Sequence, residues 1–451
     1  MANPEISSRM REDWNARARE DAGYYVAFGR REQDDQEFFA TAAEVVNSLE
    51  WELRRVPAPE RTDWKALEIG CGPGRLMKPM SRHFAEVHGV DVSDEMITLA
   101  KEKLQGIPNV FPHATDGASL SQFADQSFEY VYSYAVFQHI PSREVVYQYL
   151  NEMHRVMKPG GLARMQFNGL PRAGYGGSSD DGDTSPGTSM DTWSGARFSS
   201  SELLEFTAMH DFQVLALEGV GTQYMWTTWR KRERGWFAAQ QEMVPEETVR
   251  IRRITNAHSS EPVAPCRGRF ASISIWVENL PPEAGLHHLR VTIGDSLGTV
   301  TYIGPADPAG LQQVTVILPE LEATGLLPVE LRWANSSMST RIAPPAVLRV
   351  IPPGPSVPRL ASVTDGVNLV SDRRIETRNV KMTLEEIVRP YEIEATVGGR
   401  TVDLEYFCID PRPQKFEVNF RLPEEIRPGR HELVVQIGRR KLAPVALEVT
   451  A

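Results

Sequence analysis

Leu67-Glu68-Ile69-Gly70-Cys71-Gly72-Pro73-Gly74-Arg75 is the stretch on which the fold turns. The apolar run Ala66-Leu67-Glu68-Ile69 reads as a strand that enters three glycines, and a helical pattern follows. Glycine permits a close backbone approach to a ligand, and a helix start favours anionic groups. Dinucleotide-binding folds also use a glycine turn, but with G-x-G-x-x-G spacing; here the spacing is G-x-G-x-G. A tight strand-to-helix turn that holds no ligand is the plain alternative.

Working outward, Gln36 to Arg55 has the periodicity of one amphipathic helix, with Phe38, Phe39, Ala42, Val45, Val46, Leu49 and Leu53 on one face. Val87 to Val92 reads as a second strand ending at Asp91, and Ser93 can cap a helix from Asp94 to Leu104. A carboxylate at the end of that strand, in Gly89-Val90-Asp91-Val92-Ser93, can accept two ribose hydroxyls; its simpler role is a helix cap. Asp116-Gly117, closing a third short strand, is an acceptor for an adenine amino group or simply a turn. Phe128 to Val136 is strand-like, Ser142 can cap the helix carrying Val145 to Val156, and Lys158-Pro159-Gly160-Gly161 stops it before a strand at Leu162 to Phe167. Residues 169–195 read as a long loop, Ser199 and Glu202 have capping-box spacing, and Phe212 to Gly219 with Thr222 to Trp229 read as a closing strand pair. Strands alternating with helices predict a parallel sheet covered on both faces.

This ordered set resembles the class I S-adenosylmethionine-dependent methyltransferases, in their small-molecule, type 11-like branch. Glu68-x-Gly70-x-Gly72-x-Gly74 matches the first family motif, Asp91 the acidic ribose position, Asp116 the adenine position, and Ser127 to Ser133 the fourth strand, with Glu129 where Asp is usual. Val136-Phe137-Gln138-His139-Ile140-Pro141 and Glu152 to Gly161 match the segments that follow. The resemblance implies cofactor contacts from Glu68, Gly70, Cys71, Gly72, Gly74, Arg75, Asp91, Val92, Met96, Asp116, Gly117, Ser133 and Tyr134. It also implies S-adenosylmethionine as cofactor and S-adenosylhomocysteine as product. His139 is the candidate base, since its ordinary proton affinity suits neutral pH; a structural histidine is the alternative. Arg17 or Tyr25 of an N-terminal helix, and Trp193, Tyr224, Trp226 and Trp229, are further candidates for the cofactor and acceptor pockets, or else core residues.

Beyond about residue 240 the style changes to short alternating runs rich in proline. Leu318-Pro319-Glu320 recurs as Leu422-Pro423-Glu424, and Gly294, Val314 and Gly325 recur as Gly398, Val418 and Gly429, all 104 residues later. A repeat of that length built of short strands predicts two sandwiches in tandem, joined by Pro352-Pro353-Gly354-Pro355, and the runs resemble immunoglobulin-like bacterial modules. The expected fold class is thus an α/β Rossmann-like seven-stranded methyltransferase domain at 1–240, then all-β immunoglobulin-like sandwiches at 246–352 and 356–451.

The 451 residues carry a net charge of −11, which disfavours a nucleic-acid partner. Hydrophobic residues make up 41%, an ordinary globular share. The three cysteines form neither a disulfide framework nor a zinc pair, and no metal site is expected. No leader peptide or membrane span is expected, and the default location is cytoplasmic. The expected function is methyl transfer to a small molecule or glycan. The alternative is a cofactor-binding, catalytically weak interaction protein whose β modules hold a protein or polysaccharide, or self-associate. A nicotinamide dehydrogenase ranks below both because of the glycine spacing.

Overall fold

Seven strands alternate with helices in the first half of the chain: β1 (Lys65–Ile69), β2 (Glu86–Asp91), β3 (Val110–Ala114), β4 (Phe128–Ser133), β5 (Met157–Phe167), β6 (Phe212–Glu218) and β7 (Met225–Lys231). The computed structural model describes residues 4–27, 31–170, 195–243, 245, 248–336, 338–366, 373–410 and 414–450. The strands lie in the order β3-β2-β1-β4-β5-β7-β6, and β7 runs antiparallel to both of its neighbours. Side chains alternate between two cores. Leu67, Ile69 and Val131 enter one; Ala66, Tyr130 and Tyr132 enter the other, against the helix Ala43–Leu53. Both faces are covered, so the central strands read as nearly continuous apolar runs rather than alternating ones.

The helix starts are set by local chemistry. Ser93 and Ser142 accept the backbone N–H groups of Met96 and Val145, and Ser199 and Glu202 form a reciprocal capping box. The single helix expected over Gln36 to Arg55 is instead two, Asp35–Ala40 and Ala43–Leu53. The break falls where the Thr41 hydroxyl donates to the Phe38 carbonyl at 2.6 Å, a side-chain bond that competes with the helical ladder.

The next nine strands are β8 (Arg250–Asn256), β9 (Val263–Pro265), β10 (Ser272–Glu278), β11 (Leu289–Ile293), β12 (Ser296–Ala306), β13 (Leu311–Ile317), β14 (Gly325–Ala334), β15 (Ser339–Arg341) and β16 (Ala346–Ile351). They form two layers that share β12: β8-β10-β13-β12 and β12-β11-β14-β16-β9. The second repeat reproduces this pairing. Arg359–Asp365, Asn379–Glu385 and Lys415–Arg421 pair as β8, β10 and β13 do, and Ile393–Val397, Gly429–Ile437, Val445–Val449 and Arg374–Ile375 pair as β11, β14, β16 and β9 do. Gly294 and Gly398 take matching left-handed turns, with φ of 58° and 55°. Where the first copy has the one long strand β12, the second has Arg400–Thr401 and Glu405–Asp410, so its two sheets are separate and enclose their own core.

The β region does not begin with a fresh core. β6 pairs with β12 through Ala216 and Tyr302, so the sheet runs on past its seventh strand. The Val214 carbonyl accepts from the Leu286 N–H at 2.9 Å, Gln213 donates to the Ala284 carbonyl at 2.6 Å, and Trp51 Nε1 donates to Tyr302 Oη at 2.7 Å. One hydrophobic cluster contains Phe212, Val214 and Leu217 together with Leu286, Ile273 and Val314. The segments 1–240 and 246–352, separate domains in the sequence reading, therefore lie in one compact unit that extends to Pro353 without residues 23–34; those residues and the chain from Gly354 make up the second. Among the described residues no helix is long and apolar enough to cross a membrane.

Candidate functional site

The turn after β1 is tied to β2. The N–H groups of Gly70 and Cys71 both donate to the Val90 carbonyl, at 2.8 and 2.9 Å. Gly70, Gly72 and Gly74 have φ of 74°, 51° and 83°, in the left-handed region that side chains resist. Packing adds its own demand, because a Cβ on Gly70 would stand 2.2 Å from Val136 Cγ2 and one on Gly74 2.5 Å from Leu104 Cδ1.

Asp91, at the end of β2, reaches back to this turn. Its Oδ2 accepts the Gly72 N–H and its Oδ1 the Ser93 N–H, both at 2.9 Å. Burial pushes its carboxyl up, and those donated bonds oppose the shift. Each oxygen keeps a lone pair for a further donor. Ser93 also donates to Asn15 Oδ1 at 2.7 Å, which brings the N-terminal helix (Pro4–Ala27) onto the carboxyl edge of the sheet. Arg11 of that helix donates to the Thr115 carbonyl at 2.8 Å. Val92 and Met96 are buried, and Val92 Cγ2 would lie 2.8 Å from a Cβ on Gly117.

Glu68 is the site's unusual carboxyl. It is 3% exposed, and its Oε2 has no hydrogen-bond partner. Burial raises it to about 8; the Tyr132 hydroxyl and the nearby Arg75 oppose the rise and Asp91 adds to it. Such a group is protonated in the folded chain at neutral pH. Because the folded value lies above the ordinary one, its stabilising contribution is present at acid pH and is lost as pH rises through about 8. Stability measured by thermal unfolding is therefore expected to fall by on the order of a few kcal/mol across that window, and Glu68→Gln to flatten the slope. An unchanged slope in the variant would show that Glu68 is not the group responsible.

The remaining candidates divide. Arg75 is buried, donates to the Thr41 carbonyl at 3.2 Å and stands 5.6 Å from the Tyr134 ring centroid, with its Nε unpartnered. Tyr134 stacks on Trp226 at 5.4 Å and 5°. These residues gather with Glu68 at the carboxyl edge. The Cys71 thiol is buried and pushed well above its ordinary value by that burial, which leaves it a packing group. Ser133 Oγ donates to the Ile69 carbonyl at 2.9 Å, clipping β4 to β1. Asp116 is exposed, and its oxygens accept from Ala118 N, Ser119 N and Ser119 Oγ at 2.7 to 2.9 Å, a side-chain turn. Partial burial raises its carboxyl, but these bonds outweigh that and hold it low. Trp229 is fully buried against Phe212 and belongs to the core, Arg17 lies 4.8 Å over Trp14, and Tyr25 packs edge-on to Tyr24. Tyr224 is about half exposed, at 46%. Trp193 and most of the 169–195 loop lie outside the described residues.

His139 sits in the short turn Phe137–His139 after β4, buried, with its ring 5.6 Å from Trp14. Gln138, within the segment the sequence already matched, and Gln166 connect to it; Gln166, Asn15 and Arg11 are the site residues that the sequence did not expose. The contacts that bring them to the site, Gln166 to Gln138, Asn15 to Ser93 and Arg11 to Thr115, span 28, 78 and 104 residues, and no local pattern marks them.

Residues 67–165 match the family model described as Methyltransferase domain. Phosphoethanolamine N-methyltransferase 2 of Caenorhabditis elegans is 34% identical over 116 residues, which are 25% of this chain and 25% of that one. Demethylmenaquinone methyltransferase of Staphylococcus aureus is 36% identical over 105 residues, 23% of this chain and 42% of that one. The matched stretch thus spans less than half of either relative. Among solved structures, Haemonchus contortus phosphoethanolamine N-methyltransferase 1, in complex with phosphoethanolamine and S-adenosylhomocysteine, aligns at 15% identity and a TM-score of 0.38, over 55% of this chain and 59% of that one.

Proposed function

We propose that this chain is an S-adenosylmethionine-dependent methyltransferase acting on a small-molecule or glycan acceptor. The observation that carries the reading is the pairing of Glu68 and Asp91 across the glycine turn: one buried carboxyl with an orphaned oxygen, and one carboxylate with spare lone pairs. A ligand with an ammonium group at one end and a ribose diol at the other suits both. Glu68, the Gly70–Gly74 backbone and Arg75 would hold the amino-acid end, and Asp91 the ribose. When bound, S-adenosylmethionine supplies a methyl group on a sulfonium centre. The chain's own contribution is positioning and exclusion of water. The glycine turn fixes the floor, the N-terminal helix covers the edge through Asn15 and Arg11, and Tyr134 with Trp226 offers an aromatic wall for an acceptor.

The relatives named for phosphoethanolamine and demethylmenaquinone support a small acceptor over a polymer. Asp116, engaged by its own turn, serves adenine through its position next to the buried Gly117 rather than through a free carboxylate. The two β modules are assigned to immunoglobulin-like sandwiches, of which the first is built into the catalytic unit.

Calorimetric titration of the whole chain with S-adenosylhomocysteine tests the reading, with NAD as the control. Saturable one-to-one binding of the first and none of the second is the expected result. A folded protein that binds neither, or only NAD, would overturn it.

A further inference from the structure

We infer that Gln138 and Gln166 form a directed amide relay that places the proton of His139 on Nδ1 and occupies its Nε2 lone pair, so that Nε2 is not the base that collects the acceptor's proton. The functional half of this statement rests on the methyl-transfer reading; the position of the proton does not.

The direction of the relay follows from groups that have no choice. A backbone N–H can only donate, and that of Ala135 gives its proton to Gln166 Oε1 at 3.0 Å. Backbone carbonyls can only accept, and those of Phe167 and Gln223 face Gln166 Nε2 at 2.9 and 2.7 Å. Both ends of the Gln166 amide are thus fixed independently. Its two protons are shared among three acceptors, for Nε2 also lies 3.0 Å from the Gln138 side chain; a second amide nitrogen there would set donor against donor, so the Gln138 atom turned toward it is the oxygen. The Gln138 nitrogen then faces His139 Nε2 at 3.2 Å. An amide nitrogen offers protons and no lone pair, so His139 Nε2 must be the acceptor. A neutral imidazole whose Nε2 accepts carries its proton on Nδ1.

Burial makes the assignment binding. Gln166 is fully buried, Gln138 is 3% exposed and His139 is 6% exposed, so bulk water does not compete for these groups. A proton on Nε2 would set donor against donor at 3.2 Å inside the fold. The anchor itself is held under strain: Ala135 has φ of 55°, in the left-handed region, and it is this conformation that sits behind the N–H on which the relay begins. Ala135 lies two residues past the end of β4 and Gln166 lies on β5, so the relay is fastened to the sheet edge next to the glycine turn. Gln138 and Gln166 are positioning residues: they act on the site through His139.

The test is a long-range proton–nitrogen correlation spectrum of the full chain labelled with 15N-histidine, recorded at neutral pH. The ten histidines are resolved by the loss of one signal set in His139→Asn. The expected result is a protonated Nδ1 and an unprotonated Nε2 on His139. In Gln166→Leu the Gln138 amide is released, and the His139 pattern is expected to shift toward protonated Nε2 or an average, with the other nine histidines unmoved. A protonated Nε2 in the native chain, whether neutral or imidazolium, overturns the proposal without recourse to any variant. So does an unchanged His139 pattern in a folded Gln166→Leu chain. Loss of the expected S-adenosylhomocysteine binding would sink the methyl-transfer reading instead and leave the tautomer assignment standing.

Discussion

Replacing Asp91 by alanine is expected to weaken S-adenosylhomocysteine binding by a factor of about one hundred or more. The proposed ribose diol would give two hydrogen bonds to an ionised group, each worth about 1.5–3 kcal/mol. Every 1.4 kcal/mol is roughly a tenfold change in affinity, so the lower end of that range already reaches a hundredfold. The loss has a second source in the free protein. Asp91 is also the acceptor for Gly72 N and Ser93 N, so its removal leaves two N–H groups unmatched and loosens the glycine turn. Asp91→Asn keeps one acceptor oxygen and is expected to fall between the two. Calorimetry on both variants checks the ordering, and an alanine variant binding within about threefold of the native chain would remove Asp91 from the ribose site.

A chain ending at residue 245 is expected not to fold cooperatively, whereas one ending at 353 should show a single unfolding transition. The reason is the shared core. Ending at 245 strips Leu286, Ile273 and Val314 from the cluster that contains Phe212, Val214 and Leu217. It removes the acceptors of Arg55 Nη1 at Ile303, of Gln213 at Pro282 and Ala284, and of Arg232 at Pro282. Arg55 is the partner of the buried Glu52 at 2.7 Å, so loosening it exposes a charge pair that the fold keeps dry. Each lost bond costs about 1 kcal/mol and each uncovered large apolar side chain about 1.5–3 kcal/mol. Their sum, roughly 8–13 kcal/mol, is as large as the roughly 5–15 kcal/mol by which a domain is stable at all. Circular dichroism during heating distinguishes the two chains. A cooperative transition in the shorter one would mean that the interface is dispensable.

The elements most legible in the sequence were those specified by neighbours along the chain. The G-x-G-x-G turn, the Ser93 and Ser142 caps and the Ser199–Glu202 capping box each use residues a few positions apart, and all are found as the spacing predicts. The offset repeat was legible for a similar reason, since two copies of one pattern are compared with each other and not with a partner elsewhere. The candidate site was legible only in part. Asp91 sits at the turn where the motif puts it, but nothing local distinguished Asp116, whose carboxylate is spent on Ala118 and Ser119, or Trp229, which lies in the core.

What the sequence alone determined is the order of strands and helices, the glycine turn with its carboxylates, and the doubling of the β module, because each rests on short-range sterics, capping and periodicity. What only the tertiary structure decided is which surfaces meet. The junction of β6 with β12, the covering of the carboxyl edge by Asn15 and Arg11, and the relay from Ala135 through Gln166 and Gln138 to His139 all join residues from well-separated segments. Such contacts are selected by burial and by the need to satisfy every buried donor and acceptor at once. That condition belongs to the folded chain as a whole and leaves no mark on any one stretch of it.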